Sequence, residues 1–143
     1  MSMIAETTWE MLRVSAREAA VRAYAPYSRL QVGAAVLTSA GDIFGGCNVE
    51  NASFGLSLCA ERAAVCSMVA AGHRDLRGLV VTTAQRRVVT PCGACRQVLM
   101  EFAGPDLPIL LCADGVEDVC VRLGDLLPMA FAKGDVAEDG HRR

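Results

Sequence analysis

Two short strings carry the residues best able to do chemistry: Cys59-Ala60-Glu61 and, further along, Pro91-Cys92-Gly93-Ala94-Cys95. Together they offer three thiolates and one carboxylate. Three protein ligands suit a catalytic zinc whose fourth position stays open for water, whereas a structural zinc is closed by four. Glu61 stands two residues past Cys59, so on a helix its side chain leaves the first turn at a different angle and stays out of the ligand set. From there the carboxylate reaches the water position without displacing a sulfur, the placement required of a general base and acid.

Other uses of these thiols fit less well. A lone Cys92-x-x-Cys95 pair also occurs in redox dithiols and zinc knuckles, but no second pair closes a structural tetrahedron, and neither use gives Glu61 a role. Cys66 lies about two helical turns from Cys59, roughly 10 Å by helical rise, too far to join the set. His73, just past a helix-ending glycine, and His141 in the tail are read as exposed. Cys47, Cys66, Cys112 and Cys120 sit in apolar runs and are read as small buried hydrophobes.

The elements that must position these groups follow from periodicity. Apolar Trp9, Leu12, Ala16, Ala19, Ala20 and Ala23 predict a first helix from Thr8 to about Ala25, ended by Pro26. Val32–Leu37 and Ile43–Asn48 read as two strands joined by a turn at Ala40-Gly41-Asp42. A polar loop covers Glu50–Ser57, and a buried helix runs from Cys59 to Ala71, closed by Gly72. Then come a strand at Leu79–Thr83, a helix from Gly93 to about Phe102 stopped by Gly104-Pro105, and strands at Ile109–Cys112 and Val119–Leu123. The sum is an α/β fold, a three-layer α/β/α sandwich around a mixed five-stranded sheet. The tail after about residue 133 is expected to fray.

In this layout Cys59 opens one helix and Cys92 and Cys95 open another. Helix starts present unpaired N–H groups and a positive dipole end, which favour thiolate over thiol. Three thiolates make zinc a weaker Lewis acid. Arg62 is the best-placed cation to compensate, by donating fixed hydrogen bonds to sulfur.

Composition narrows the class. With 143 residues, 52% of them hydrophobic, residues 1–143 are read as one domain. The formal net charge of -2 leaves Arg86-Arg87 and Arg142-Arg143 as isolated pairs, so nucleic acid is not an expected partner. The longest apolar runs have strand length, so no membrane is expected. Glu6, Trp9 and Glu10 near the N-terminus are unlike a signal peptide. Together with an odd count of seven cysteines, this predicts reduced thiols and a cytoplasmic protein.

Ordered matches along nearly the whole chain resemble the small, tetrameric type of cytidine deaminase. They are Tyr27-Ser28 with Val32-Gly33-Ala34-Ala35; Cys47-Asn48-Val49-Glu50-Asn51-Ala52; Cys59-Ala60-Glu61-Arg62; Pro91-Cys92-Gly93-Ala94-Cys95-Arg96-Gln97-Val98; and Leu126-Leu127-Pro128 with Ala130-Phe131. The first zinc ligand of related deoxycytidylate and tRNA adenosine deaminases is usually histidine, so Cys59 points to the free-nucleoside branch. The resemblance implies one zinc per subunit on Cys59, Cys92 and Cys95, with Glu61 catalytic and also in contact with the ring nitrogen and amino group. It further implies ribose contacts from Asn48 and Glu50, a substrate contact at Ala52, and a base-carbonyl contact from the N–H of Ala60. Phe131 would close the pocket of a neighbouring subunit in a homotetramer.

Two positions depart from the family pattern. Leu30 stands where a phenylalanine usually packs on the pyrimidine, and Phe54 where a tyrosine often helps bind the sugar. A modified cytidine, or a cytosine-containing antibiotic as in the similar blasticidin S deaminases, is therefore the main rival substrate. A zinc-stabilised binding or redox protein is the rival from another class. Editing of single-stranded nucleic acid is disfavoured by charge and by the few aromatics available for stacking.

Overall fold

Leu12, Ala16 and Ala20 recur every fourth residue and form the buried stripe of α1 (Glu6–Ala20). The structure, a computed structural model, describes residues 3–140. After α1 come β1 (Val32–Thr38), β2 (Ile43–Cys47), a 3-10 turn at Phe54–Leu56, α2 (Ala60–Ala70), β3 (Leu76–Thr83) and α3 (Gly93–Phe102). The chain continues through β4 (Pro108–Ala113), β5 (Val116–Arg122), the short α4 (Leu123–Leu126) and α5 (Lys133–Gly140).

The five strands form one sheet in the order β2-β1-β3-β4-β5. Only the β3–β4 pair is parallel; α3 makes its crossover, as a parallel pair requires. Alternation along the central strands divides the core into two. Ala35, Leu37, Val80, Leu110 and Cys112 pack under α1 with Leu12 and Ala16. Ala34, Val36, Leu79, Val81, Ile109 and Leu111 face Ala60, Ala64 and Met68 of α2 and Leu99 of α3. The mixed five-stranded sheet and its two helical layers are those expected from the sequence.

Two glycines allow the close approaches on which this packing depends. A Cβ on Gly33 would lie 1.9 Å from the Ala16 carbonyl oxygen of α1, and one on Gly46 would lie 2.3 Å from the Ala64 nitrogen of α2. Gly46 thereby seats α2, the helix that begins at Cys59, directly on β2.

Some boundaries differ from expectation. α1 stops at Ala20 rather than near Ala25, because Tyr24 is drawn into a bridge: its N–H donates to Asn48 O at 3.0 Å and its carbonyl accepts from Glu50 N at 2.8 Å. β3 and β5 each begin three residues early, since their ladders start at Leu76 and Val116. The segment expected to fray after residue 133 contains α5, whose start is fastened by Ala132 N–H donating to Asp135 Oδ2 at 2.7 Å. Cys112 is buried as expected, but Cys66 and Cys120 are exposed and Cys47 is half-buried. Cys66 faces away from the buried Ala64, Val65 and Met68 of α2, and Cys120 lies on the edge strand β5.

Candidate active site

Two helices start at the same place. Cys59 is the N-cap of α2 and Cys92 the N-cap of α3, with Cys95 in the first turn of α3. Their three sulfurs lie within 4.8 Å of one another, and those of Cys59 and Cys92 are 3.7 Å apart. Four ligands about 2.3 Å from zinc form a tetrahedron with edges of about 3.8 Å, so the spacing fits the ion. Arg62 Nη2 donates to Cys59 Sγ at 3.4 Å. A hydrogen bond from Cys95, aided by Arg62, outweighs burial and brings the Cys59 thiol down to about 5. Cys95 shifts upward for the complementary reason: it is the partner in that bond, and it is buried. Sulfurs that share protons in this way can exchange them for one divalent ion.

Glu61 lies beside the three sulfurs and is only 4% exposed. Its Oε2 is 3.8 Å from Cys95 Sγ. Burial, above all, holds its carboxyl above the usual carboxylate range, which makes it a stronger base than an exposed glutamate. Arg62 Nε is buried and has no hydrogen-bond partner among the described residues.

Sequence reasoning missed the brace behind the second string. Arg96 Nε donates to Pro91 O at 2.7 Å, Nη1 to Leu126 O at 2.9 Å and Nη2 to Thr90 Oγ1 at 3.3 Å. Gln97 Nε2 donates to Phe131 O at 2.8 Å. Consecutive α3 residues thus tie the cysteine loop to the segment that carries Phe131. Their polar character inside a helix was the available signal, but the partner carbonyls are distant in sequence.

A second group of candidates lies along the stretch leading to Cys59. Val49 and Leu58 exchange both backbone hydrogen bonds, at 2.9 and 2.8 Å, which sets Asn48–Glu50 beside the residue preceding the first sulfur. Asn48 Oδ1 accepts from Val32 N–H at 2.8 Å and Nδ2 donates to Leu30 O at 2.8 Å, so this amide also clamps the approach to β1. Glu50 Oε1 accepts from Tyr27 N–H at 2.9 Å and Ser28 N–H at 3.0 Å, while Oε2 accepts from the Ser28 hydroxyl. Tyr27, Ser28, Glu50, Phe54 and Ser57 line a cleft of about 360 Å3.

The remaining candidates scatter in exposure. Leu30 is half-buried, Ala52 exposed and Ala60 fully buried at the first position of α2, where its N–H has no acceptor within the helix. Phe54 is 73% exposed and Phe131 63% exposed; Phe54 meets Tyr27 edge-on at 5.7 Å. His73 is not the exposed residue expected: it pairs with Asp42 at 3.2 Å and tilts over Phe44. His141 lies outside the described residues. A larger apolar cavity of about 680 Å3 lies between Trp9, Leu76, Leu107 and Cys120, but it holds none of the three clustered sulfurs and is not the candidate site.

Residues 7–111 match the family described as the cytidine and deoxycytidylate deaminase zinc-binding region. Over 137 residues the chain is 46% identical to a cytidine deaminase of Mycobacterium tuberculosis, covering 94% of this chain and 97% of that one. The crystal structure of a cytidine deaminase from Burkholderia pseudomallei is 45% identical, covers 85% of this chain and 98% of its own, and superposes with a TM-score of 0.80. A more distant similarity, 30% over 110 residues, is to a blasticidin-S deaminase of Bacillus cereus, covering 71% of this chain and 77% of that one.

Proposed function

The chain belongs to the cytidine and deoxycytidylate deaminase family, and on that premise we propose that it hydrolyses cytidine and deoxycytidine to uridine and deoxyuridine with release of ammonia. The observation that carries this reading is the convergence of three sulfurs, from two helix starts, on one buried carboxylate. Cys59, Cys92 and Cys95 would hold one zinc per subunit. When bound, zinc supplies the Lewis acidity that makes water a competent nucleophile near neutral pH.

The residues of the chain do the rest. Glu61 Oε2, desolvated and above its usual pKa, takes one proton from water and delivers it to the ring nitrogen; it then takes the remaining proton from the added hydroxyl and delivers it to the amine, which leaves as ammonia as the C–N bond breaks. Arg62 offsets the negative charge of the sulfurs and so limits the loss of Lewis acidity. The N–H of Ala60, at the start of α2 where the helix offers it no acceptor, would meet the base carbonyl. Asn48 and Glu50 take the sugar, and Leu30 forms a wall for the base.

Phe54, at the rim of the cleft, and Phe131 are both largely exposed. A homotetramer in which neighbours supply Phe131 and the Phe54 loop would enclose the nucleoside. Among the described residues no helix is long and apolar enough to cross a membrane. The cytoplasm suits thiols that must remain reduced to hold a metal.

One feature favours a second substrate class. Leu30 replaces an aromatic wall, and with the Bacillus cereus relative it keeps a modified cytosine nucleoside as the alternative. Ammonia release from cytidine, deoxycytidine, cytidine monophosphate, ring-substituted cytidines and blasticidin S separates the two. The proposal predicts that the plain nucleosides have the highest kcat/KM.

A further inference from the structure

The hydroxyl of Ser28, in the cleft, joins Glu50 to the backbone of Leu30. It donates to Glu50 Oε2 and accepts the N–H of Leu30 at 3.0 Å. The chain between them is forced to turn: Arg29 has φ 58°, in the left-handed region that a non-glycine residue occupies at a cost. Its carbonyl is held by Gln85 Nε2 at 2.6 Å, across from the end of β3. An unfavourable backbone conformation is thus maintained by bonds on both sides, and it turns Leu30 N–H back onto the serine oxygen.

The acceptor count on Glu50 makes this arrangement specific. A carboxylate offers about four lone-pair sites, two on each oxygen. Tyr27 N–H and Ser28 N–H occupy Oε1, and the Ser28 hydroxyl occupies one site of Oε2. One site is left. We infer that Ser28 is the positioning residue of the sugar pocket: it aims the last free lone pair of Glu50 at a single sugar hydroxyl and, through Leu30 N–H, fixes the base-facing wall relative to it.

This inference rests on the proposed nucleoside reading but makes a separate claim. Removing the serine hydroxyl leaves Glu50 in place, anchored by two N–H groups, while freeing Oε2 to rotate and rehydrate. Binding therefore weakens only to the extent that the substrate uses Oε2. A general loosening of the cleft would weaken every nucleoside alike.

The test compares cytidine with 2′,3′-dideoxycytidine on zinc-loaded wild type, Ser28→Ala and Ser28→Thr. Ser28→Ala is expected to raise KM for cytidine about tenfold, the scale of one charge-assisted hydrogen bond, with a smaller effect on kcat. KM for the dideoxy compound should change by less than about twofold, and Ser28→Thr, which keeps the hydroxyl, should restore much of the cytidine affinity. Adding Ser28→Ala to Glu50→Gln should shift the ratio of the two KM values little further. Equal rises for both substrates, or no rise for cytidine, would overturn the inference while leaving the deaminase reading intact. A wild type that releases no ammonia from cytidine would instead defeat that reading, along with what is built on it.

Discussion

The sulfurs of Cys59 and Cys92 stand 3.7 Å apart although 33 positions separate them in the chain. They meet because each caps a helix and both helices lie on the same face of the sheet, so their positive ends converge. Glu61, one residue into α2, enters that cup from the side and supplies no ligand atom to the sulfur cluster.

The first prediction concerns this division of labour. Glu61→Gln preserves shape but cannot shuttle a proton, so it should retain zinc and fold while kcat falls by about 10²–10⁴-fold. Metal analysis alongside steady-state kinetics checks it. Near-normal turnover by the metal-loaded variant would remove Glu61 from the mechanism.

Zinc content distinguishes the ligands from the other thiols. Cys59→Ala, Cys92→Ala and Cys95→Ala should each lose the metal and the activity. Cys66 is exposed, so Cys66→Ala should keep both and change stability by no more than about 0.5 kcal/mol. Loss of zinc from the Cys66 variant would contradict the ligand set.

Arg96 gives a prediction about stability. Truncation to alanine leaves the carbonyls of Pro91 and Leu126 without their guanidinium donor and should cost about 2 kcal/mol. Lysine lacks the planar fork that serves both carbonyls at once, so Arg96→Lys should recover little in urea unfolding. Full recovery by lysine would show that charge alone, not the fork, accounts for the brace.

For Leu30, the expected gain from an aromatic wall is about 0.5–1.5 kcal/mol of oriented contact with the base. Leu30→Phe should raise kcat/KM for cytidine and lower it for bulky ring-substituted cytidines. Unchanged ratios across the panel would show that Leu30 does not set substrate choice.

Phe131 is anchored through its carbonyl by Gln97 while its ring stays exposed. If a neighbouring subunit uses that ring, Phe131→Ala should raise KM and leave zinc bound. Sedimentation that finds a fully active monomer would rule out the composite site.

Legibility from sequence followed the range of the interaction. The zinc strings and both helix starts could be read because ligand spacing and capping are local, and the central strands because their apolar runs are continuous. The end of α1 could not, since the chain leaves the helix for the distant Tyr24–Val49 bridge with no glycine or proline at the boundary. The Ser28–Glu50 and Arg96–Pro91 bonds were equally hidden, because a polar residue does not name its partner. The exposure of Cys66 was available but overlooked: a helix that buries Ala60, Ala64 and Met68 at intervals of four turns position 66 outward.

The most direct test is ammonia release from cytidine as zinc is removed and returned. The purified chain should hold about one zinc per subunit, lose turnover on chelation, and regain it when one equivalent is restored, with uridine and ammonia formed in equal amounts. Undiminished cytidine turnover by the metal-free chain, or none by the fully loaded chain, would contradict the account at its centre.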